Sequence, residues 1–191
     1  MKTFILTVFT LLVSVKLFSQ TIDYNNFDYS LYEKKVIEKI NTYRNGLGLK
    51  ILYSSNTLKN FTSVKTSTQN SNQDKGFHLK VDDTNDDINK KLYGELYNLT
   101  GGKCGVKEPS SVFINEGYGE IISIVNGKHI TYDELSSEVL NSWLDSPGHK
   151  KIIETKFVNL NGFAGLISCS AKFSSSGKLY TVVNFVSVSN F

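Results

Sequence analysis

The sequence predicts an α+β fold in which helices wrap around a mostly antiparallel sheet, and three patterns carry that expectation. Residues 31–43 set Tyr32, Val36, Ile37, Ile40 and Tyr43 at three- and four-residue spacing, while Glu33, Lys34, Lys35, Glu38 and Lys39 fill the opposite side of an amphipathic helix. The β-branched run Ile121-Ile122-Ser123-Ile124-Val125 reads as a strand that stops at the turn-forming pair Asn126-Gly127. Near the end, residues 163–173 and 179–188 flank Ser174-Ser175-Ser176-Gly177, which predicts a hairpin.

Taken in chain order, the first residues resemble a signal peptide rather than part of the fold. Lys2 precedes an apolar run over residues 4–15, followed by polar Ser19-Gln20-Thr21. That run is shorter than the roughly 20 residues of a membrane-spanning helix, so no anchor is expected after cleavage near residue 20. Export to the extracellular space or the periplasm follows, with residues 21–191 forming one domain. After the first helix, Asn45-Gly46-Leu47-Gly48 provides a stop. A second helix is expected to begin near residues 54–56 with a serine or asparagine cap, turning Leu58, Phe61, Val64 and Ser67 inward.

Residues 80–110 carry the weakest pattern and read as an inserted surface segment, with a short helical stretch over residues 88–99. Its acids Asp82, Asp83, Asp86 and Asp87 lack the glycine and terminal glutamate of a calcium loop, which favours a solvated face. Thr131 with Glu134 forms a capping box, predicting a helix through Leu135, Val139, Leu140 and Trp143 that ends near Asp145-Ser146. Pro147 then favours a fresh helical start over residues 149–154.

Charge and cysteine content narrow the function. The full chain carries +3, and loss of the leader with Lys2 and Lys16 brings it near +1, which argues against nucleic acid or an anionic membrane as principal partner. Cys104 and Cys169 would meet oxidising conditions after export, which permits a disulfide between them or two separate thiols. No Gly-x-Ser-x-Gly motif is present, and neither cysteine has a histidine close in sequence.

The most specific window is Trp143-Leu144-Asp145-Ser146-Pro147-Gly148-His149-Lys150-Lys151-Ile152-Ile153, which resembles the W-x-x-S-P-G-H signature of microbial CAP (SCP) domains. Ile40-Asn41-x-Tyr43-Arg44-x-Gly46-Leu47 is similar to the first helix of that family, Gly76-Phe77-His78 to the place of its first histidine, and Tyr118-Gly119-Glu120 to the opening of its Gly-Glu-Asn motif. The resemblance implies a CAP-type α-β-α sandwich and a cleft lined by His78, Glu120 and His149. The chain departs from the family where Ile121 replaces the asparagine. Glu116 competes with Glu120, and the fourth acidic group falls to Glu116, Glu138 or Asp145. His129 matches nothing in the pattern and reads as a surface residue, whereas Trp143 continues an apolar helix face and reads as core.

Two imidazoles and a carboxylate are the ligand types of a zinc-like site with an open position, so a divalent metal held by His78 and His149 is one expectation. Three functional classes follow. The preferred one is a secreted non-catalytic binder of a lipid, peptide or cell-envelope component in the His/Glu cleft. The second is a metal-dependent, peptidase-like hydrolase in which Glu120 is a third ligand or the base for a bound water. The third is a structural or protein-interaction module that uses the segment at 80–110.

Overall fold

The computed structural model describes residues 20–71, 86–99, 119–126, 129–156 and 165–186. Among these residues, nine elements follow in order: α1 (Tyr29–Gly46), β1 (Tyr53–Ser54), α2 (Asn56–Ser71), α3 (Asp86–Leu99), β2 (Gly119–Asn126), α4 (Tyr132–Leu144), α5 (Pro147–Ile153), β3 (Leu166–Phe173) and β4 (Lys178–Val186). The strands form one sheet in the order β1-β3-β4-β2. Both β3 and β2 run antiparallel to β4, whereas the two-residue β1 runs parallel to its neighbour β3, so the sheet is mixed rather than purely antiparallel.

One face of this sheet is apolar. Register aligns Cys169, Val183 and Ile121 across β3, β4 and β2, and period-two alternation sends all three to the same side. There they join Tyr32, Val36 and Ile40 of α1 and Leu135, Val139 and Trp143 of α4 in a single buried cluster. Trp143 is core, as its helix periodicity predicts. The Tyr32 hydroxyl, the polar tip of an otherwise apolar side chain, meets Thr181 Oγ1 at 2.8 Å.

Local chemistry sets the boundaries. Thr131 caps α4 through Glu134 N–H at 3.2 Å, and Glu134 Oε2 accepts from Thr131 N–H at 3.1 Å, which is the expected capping box. Pro147 opens α5 as its first residue. Gly48 takes the chain beyond α1 with φ 71°, and Gly177 closes the β3–β4 turn with φ 78°, both in the region that a side chain disfavours. Gln20, the last residue of the segment expected as a leader, contacts the fold: its carbonyl accepts from Tyr132 N–H.

The second helix starts where expected, with Ser55 Oγ accepting from Leu58 N–H at 3.0 Å. Its inward face corrects the sequence expectation. Val64 is 63% exposed and Ser67 is exposed as well, and among the described side chains the buried positions are Leu58, Thr62, Lys65 and Thr66. Three of those four are polar, so apolar periodicity had no purchase on this helix. α3 packs beside α2, burying Leu92. Its Glu95 accepts from Thr57 N–H and Oγ1, both at 2.8 Å, placing a carboxylate at the α2 N-terminus where the helix dipole favours it.

Candidate functional site

The sheet face toward α2 carries a row of polar side chains. Register places Ser168, Asn184 and Glu120 side by side on β3, β4 and β2. From above, α2 lowers Thr62, Lys65 and Thr66, which share one helix face because they lie three and four residues apart. All six are buried.

These groups are linked to one another. Asn184 Nδ2 donates to Glu120 Oε2 at 2.9 Å, and the Lys65 ammonium pairs with the same carboxylate oxygen. Thr62 Oγ1 lies 2.8 Å from Asn184 Oδ1 and 2.9 Å from Leu58 O, with Ser168 Oγ on its other side. Thr66 Oγ1 donates to Thr62 O at 2.8 Å. The side chains of Lys65 and Glu120 are 0% and 2% exposed, so water contributes little to either charge. Burial pushes the Lys65 amine below its ordinary range, and the Glu120 carboxylate opposes that shift. The Phe61 ring centroid stands 5.9 Å from Nζ, at the outer reach of a cation–π contact.

Glu120 is thus the predicted site residue that the fold most clearly explains, and its surroundings differ from an open cleft. His149 lies half-buried in the first turn of α5. A turn later, Ile152 packs over Gly119 so closely that a Cβ there would stand 2.5 Å from its Cγ2. Gly119 shares its side of the sheet with Ile121, so α5 and the Glu120 carboxylate approach β2 from different faces. His78, Glu116 and Cys104 lie outside the described residues. Cys169 is a buried free thiol, pushed well up by desolvation. Of the alternatives for a fourth acid, Glu138 stands 2.5 Å from His129 Nε2, and Asp145 is the exposed C-cap of α4.

A divalent metal fits Glu120 poorly. The oxygen that it would need already carries an ammonium and an amide N–H in a dry layer, and a second cation there would face Lys65 directly. Among the described residues, no group of three or more His, Cys, Asp and Glu side chains converges.

A separate concavity opens between α1 and α2 beside β1 and β3, with a volume of about 660 Å³. Ile37, Asn41, Ile51, Ser168 and Cys169 line it. Glu33 and Lys59 span it with a 2.7 Å ion pair, and Glu33 Oε1 also accepts from Ala171 N–H. Sequence patterning missed this groove because its walls come from four separate elements.

Comparisons with solved structures place the fold. An outer surface protein from Borrelia burgdorferi aligns with a TM-score of 0.53 at 17% identity, over 85% of this chain and 96% of that one. An extracellular protein containing an SCP domain from Bacillus anthracis aligns at 15% identity and a TM-score of 0.43, over 83% of this chain and 41% of that one. No protein-family model and no curated protein matches the chain. The chain thus shares the overall fold of the outer surface protein, with helices on both faces of a four-stranded sheet and the Trp143–His149 window at the α4–α5 junction. Among the described residues, no helix is long and apolar enough to cross a membrane.

Proposed function

We propose that this chain is an exported CAP-type domain that binds a lipid, peptide or cell-envelope component without turning it over. The observation that carries this reading is the state of Glu120. A general base or water-activating carboxylate must reach its substrate or a bound water, whereas this one is buried beneath α2 and already holds Lys65 and Asn184. The groove between α1 and α2 has the size and the mixed apolar and polar lining typical of ligand sites. The leader-like residues 1–20 and the likeness to an outer surface protein agree with a role outside the cytoplasm.

One experiment with two arms tests this. In the first arm, wild type and Glu120→Gln are incubated with labelled casein and with p-nitrophenyl acetate, each with and without zinc. Neither protein should exceed the blank. Zinc-stimulated turnover that Glu120→Gln lowers by about 100-fold or more, as expected for a lost general base, would establish a hydrolase instead. In the second arm, wild type is offered phosphatidylcholine vesicles, insoluble cell-wall sacculi and an immobilised peptide library. Retention by one of them is expected, and retention by none contradicts the binding role.

A further inference from the structure

Lys65, Asn184 and Glu120 together make more than an ion pair. A primary amine and a carboxamide are each buried against one carboxylate, and the same oxygen, Glu120 Oε2, holds both the amine nitrogen and the amide nitrogen. Register prescribes this meeting: Glu120 and Asn184 are cross-strand partners, and the packing of α2 on β3 and β4 brings Lys65 down on the pair.

Four requirements for condensing an amine with a carboxamide have a counterpart here. The nucleophile must lose its proton, and a buried amine beside a buried carboxylate can hand one over, because both groups become neutral where charge is poorly solvated. The carbonyl must be polarised, and Thr62 Oγ1, 2.8 Å from Asn184 Oδ1, donates there when its one proton turns from Leu58 O, 2.9 Å away. The leaving nitrogen must gain a proton, and Glu120 Oε2 lies 2.9 Å from Nδ2. Water must stay out, since hydrolysis of the amide would compete; Asn184, Thr62, Lys65 and Glu120 are all buried.

We propose that Lys65 and Asn184 condense within the folded chain to an isopeptide bond, with Glu120 carrying the proton between them. The Lys65 ammonium first gives one proton to Glu120. The freed lone pair on Nζ attacks Asn184 Cγ, the Nζ–Cγ bond forms, and negative charge develops on Oδ1 opposite the Thr62 hydroxyl. The Cγ–Nδ2 bond then breaks, and a proton relayed from Nζ through Glu120 leaves with Nδ2 as ammonia. Of the three protons on the original ammonium, one remains on the new amide, one departs with ammonia and one stays on Glu120 as a neutral carboxylic acid. The step changes no oxidation state and needs no co-reactant. It also removes two opposite charges from a dry layer, which lowers the desolvation cost of keeping them there.

The product ties α2 covalently to β4. That cross-link would survive reducing conditions, unlike a disulfide, and its formation does not depend on the ligand-binding reading.

The test is mass spectrometry of the purified, denatured protein, followed by proteolytic mapping. The expected result is a polypeptide lighter by one ammonia than its processed sequence requires, together with a branched peptide joining the segment of Lys65 to the segment of Asn184. The branched peptide decides the matter, because an amino-terminal Gln20 can lose ammonia by its own cyclisation. Lys65→Arg and Glu120→Gln should both lack the branched peptide and recover the ammonia mass at Asn184. Wild-type protein whose peptides carry unmodified Lys65 and Asn184, or whose missing ammonia maps to any other residue, overturns the proposal whether or not the variants fold.

Discussion

Arg44→Ala should destabilise the fold by about 3–4 kcal/mol, a large effect for one side chain. Arg44 is fully buried at the end of α1. Its Nε donates to Lys50 O at 3.0 Å, and its Nη1 donates to Ile153 O at 2.6 Å and Thr155 O at 2.9 Å. One guanidinium thus ties the last turn of α1 to the loop before β1 and to the end of α5, where exposed carbonyls favour a cation. Truncation leaves three carbonyls without that donor and opens a cavity where the side chain stood. Arg44→Lys should recover little, because a single ammonium cannot reproduce the forked geometry. Thermal unfolding should show the loss as a fall in Tm on the order of 10 °C; a fall no larger than that of a surface substitution would mean that the hydrogen bonds contribute little.

The second large effect concerns the pair under α2. Lys65→Met removes the cation and strands the Glu120 carboxylate in a dry layer, where Asn184 still donates to the oxygen that the two shared. Breaking a buried pair from one side costs about 3–5 kcal/mol, more than the pair itself is worth against neutral replacements. Adding Glu120→Gln to Lys65→Met should therefore raise stability above that of Lys65→Met, a comparison between two chains that both lack the proposed cross-link, even though it removes a second native side chain. Chemical denaturation of Lys65→Met and of the double variant measures this difference directly. A double variant that is less stable than Lys65→Met alone would contradict the assignment of a stranded charge.

These two residues also show where sequence reasoning succeeds and where it stops. α1 and α4 were legible because both bury apolar stripes at helical spacing, and the Thr131–Glu134 capping box marks the start of α4 through a purely local interaction. The C-terminal hairpin was legible for a related reason: two β-rich stretches meet at a Ser-rich turn closed by a glycine. The inward face of α2 was not, since Thr62, Lys65 and Thr66 are polar and their burial depends on partners distant in the chain. β1 escaped notice because two residues make no pattern, and its parallel pairing depends on where β3 arrives.

The site follows the same division. Glu120 stood out in the sequence through its neighbours Tyr118 and Gly119, but nothing local indicates that its carboxylate meets Lys65 on another element. Arg44 lies in the Ile40–Leu47 window that carries the family resemblance, yet the carbonyls of Ile153 and Thr155 reach it only when α5 docks. Pairwise polar contacts between remote segments are what a single sequence encodes least directly.

Whether Glu120 is committed to Lys65 and Asn184 inside the fold can be read from a calorimetric titration of zinc into wild type and Glu120→Gln. Both proteins should give the same heats, because neither presents that carboxylate to an incoming ion. Zinc uptake by wild type that disappears in a folded Glu120→Gln protein would contradict this commitment, and would return Glu120 to an open metal-binding cleft.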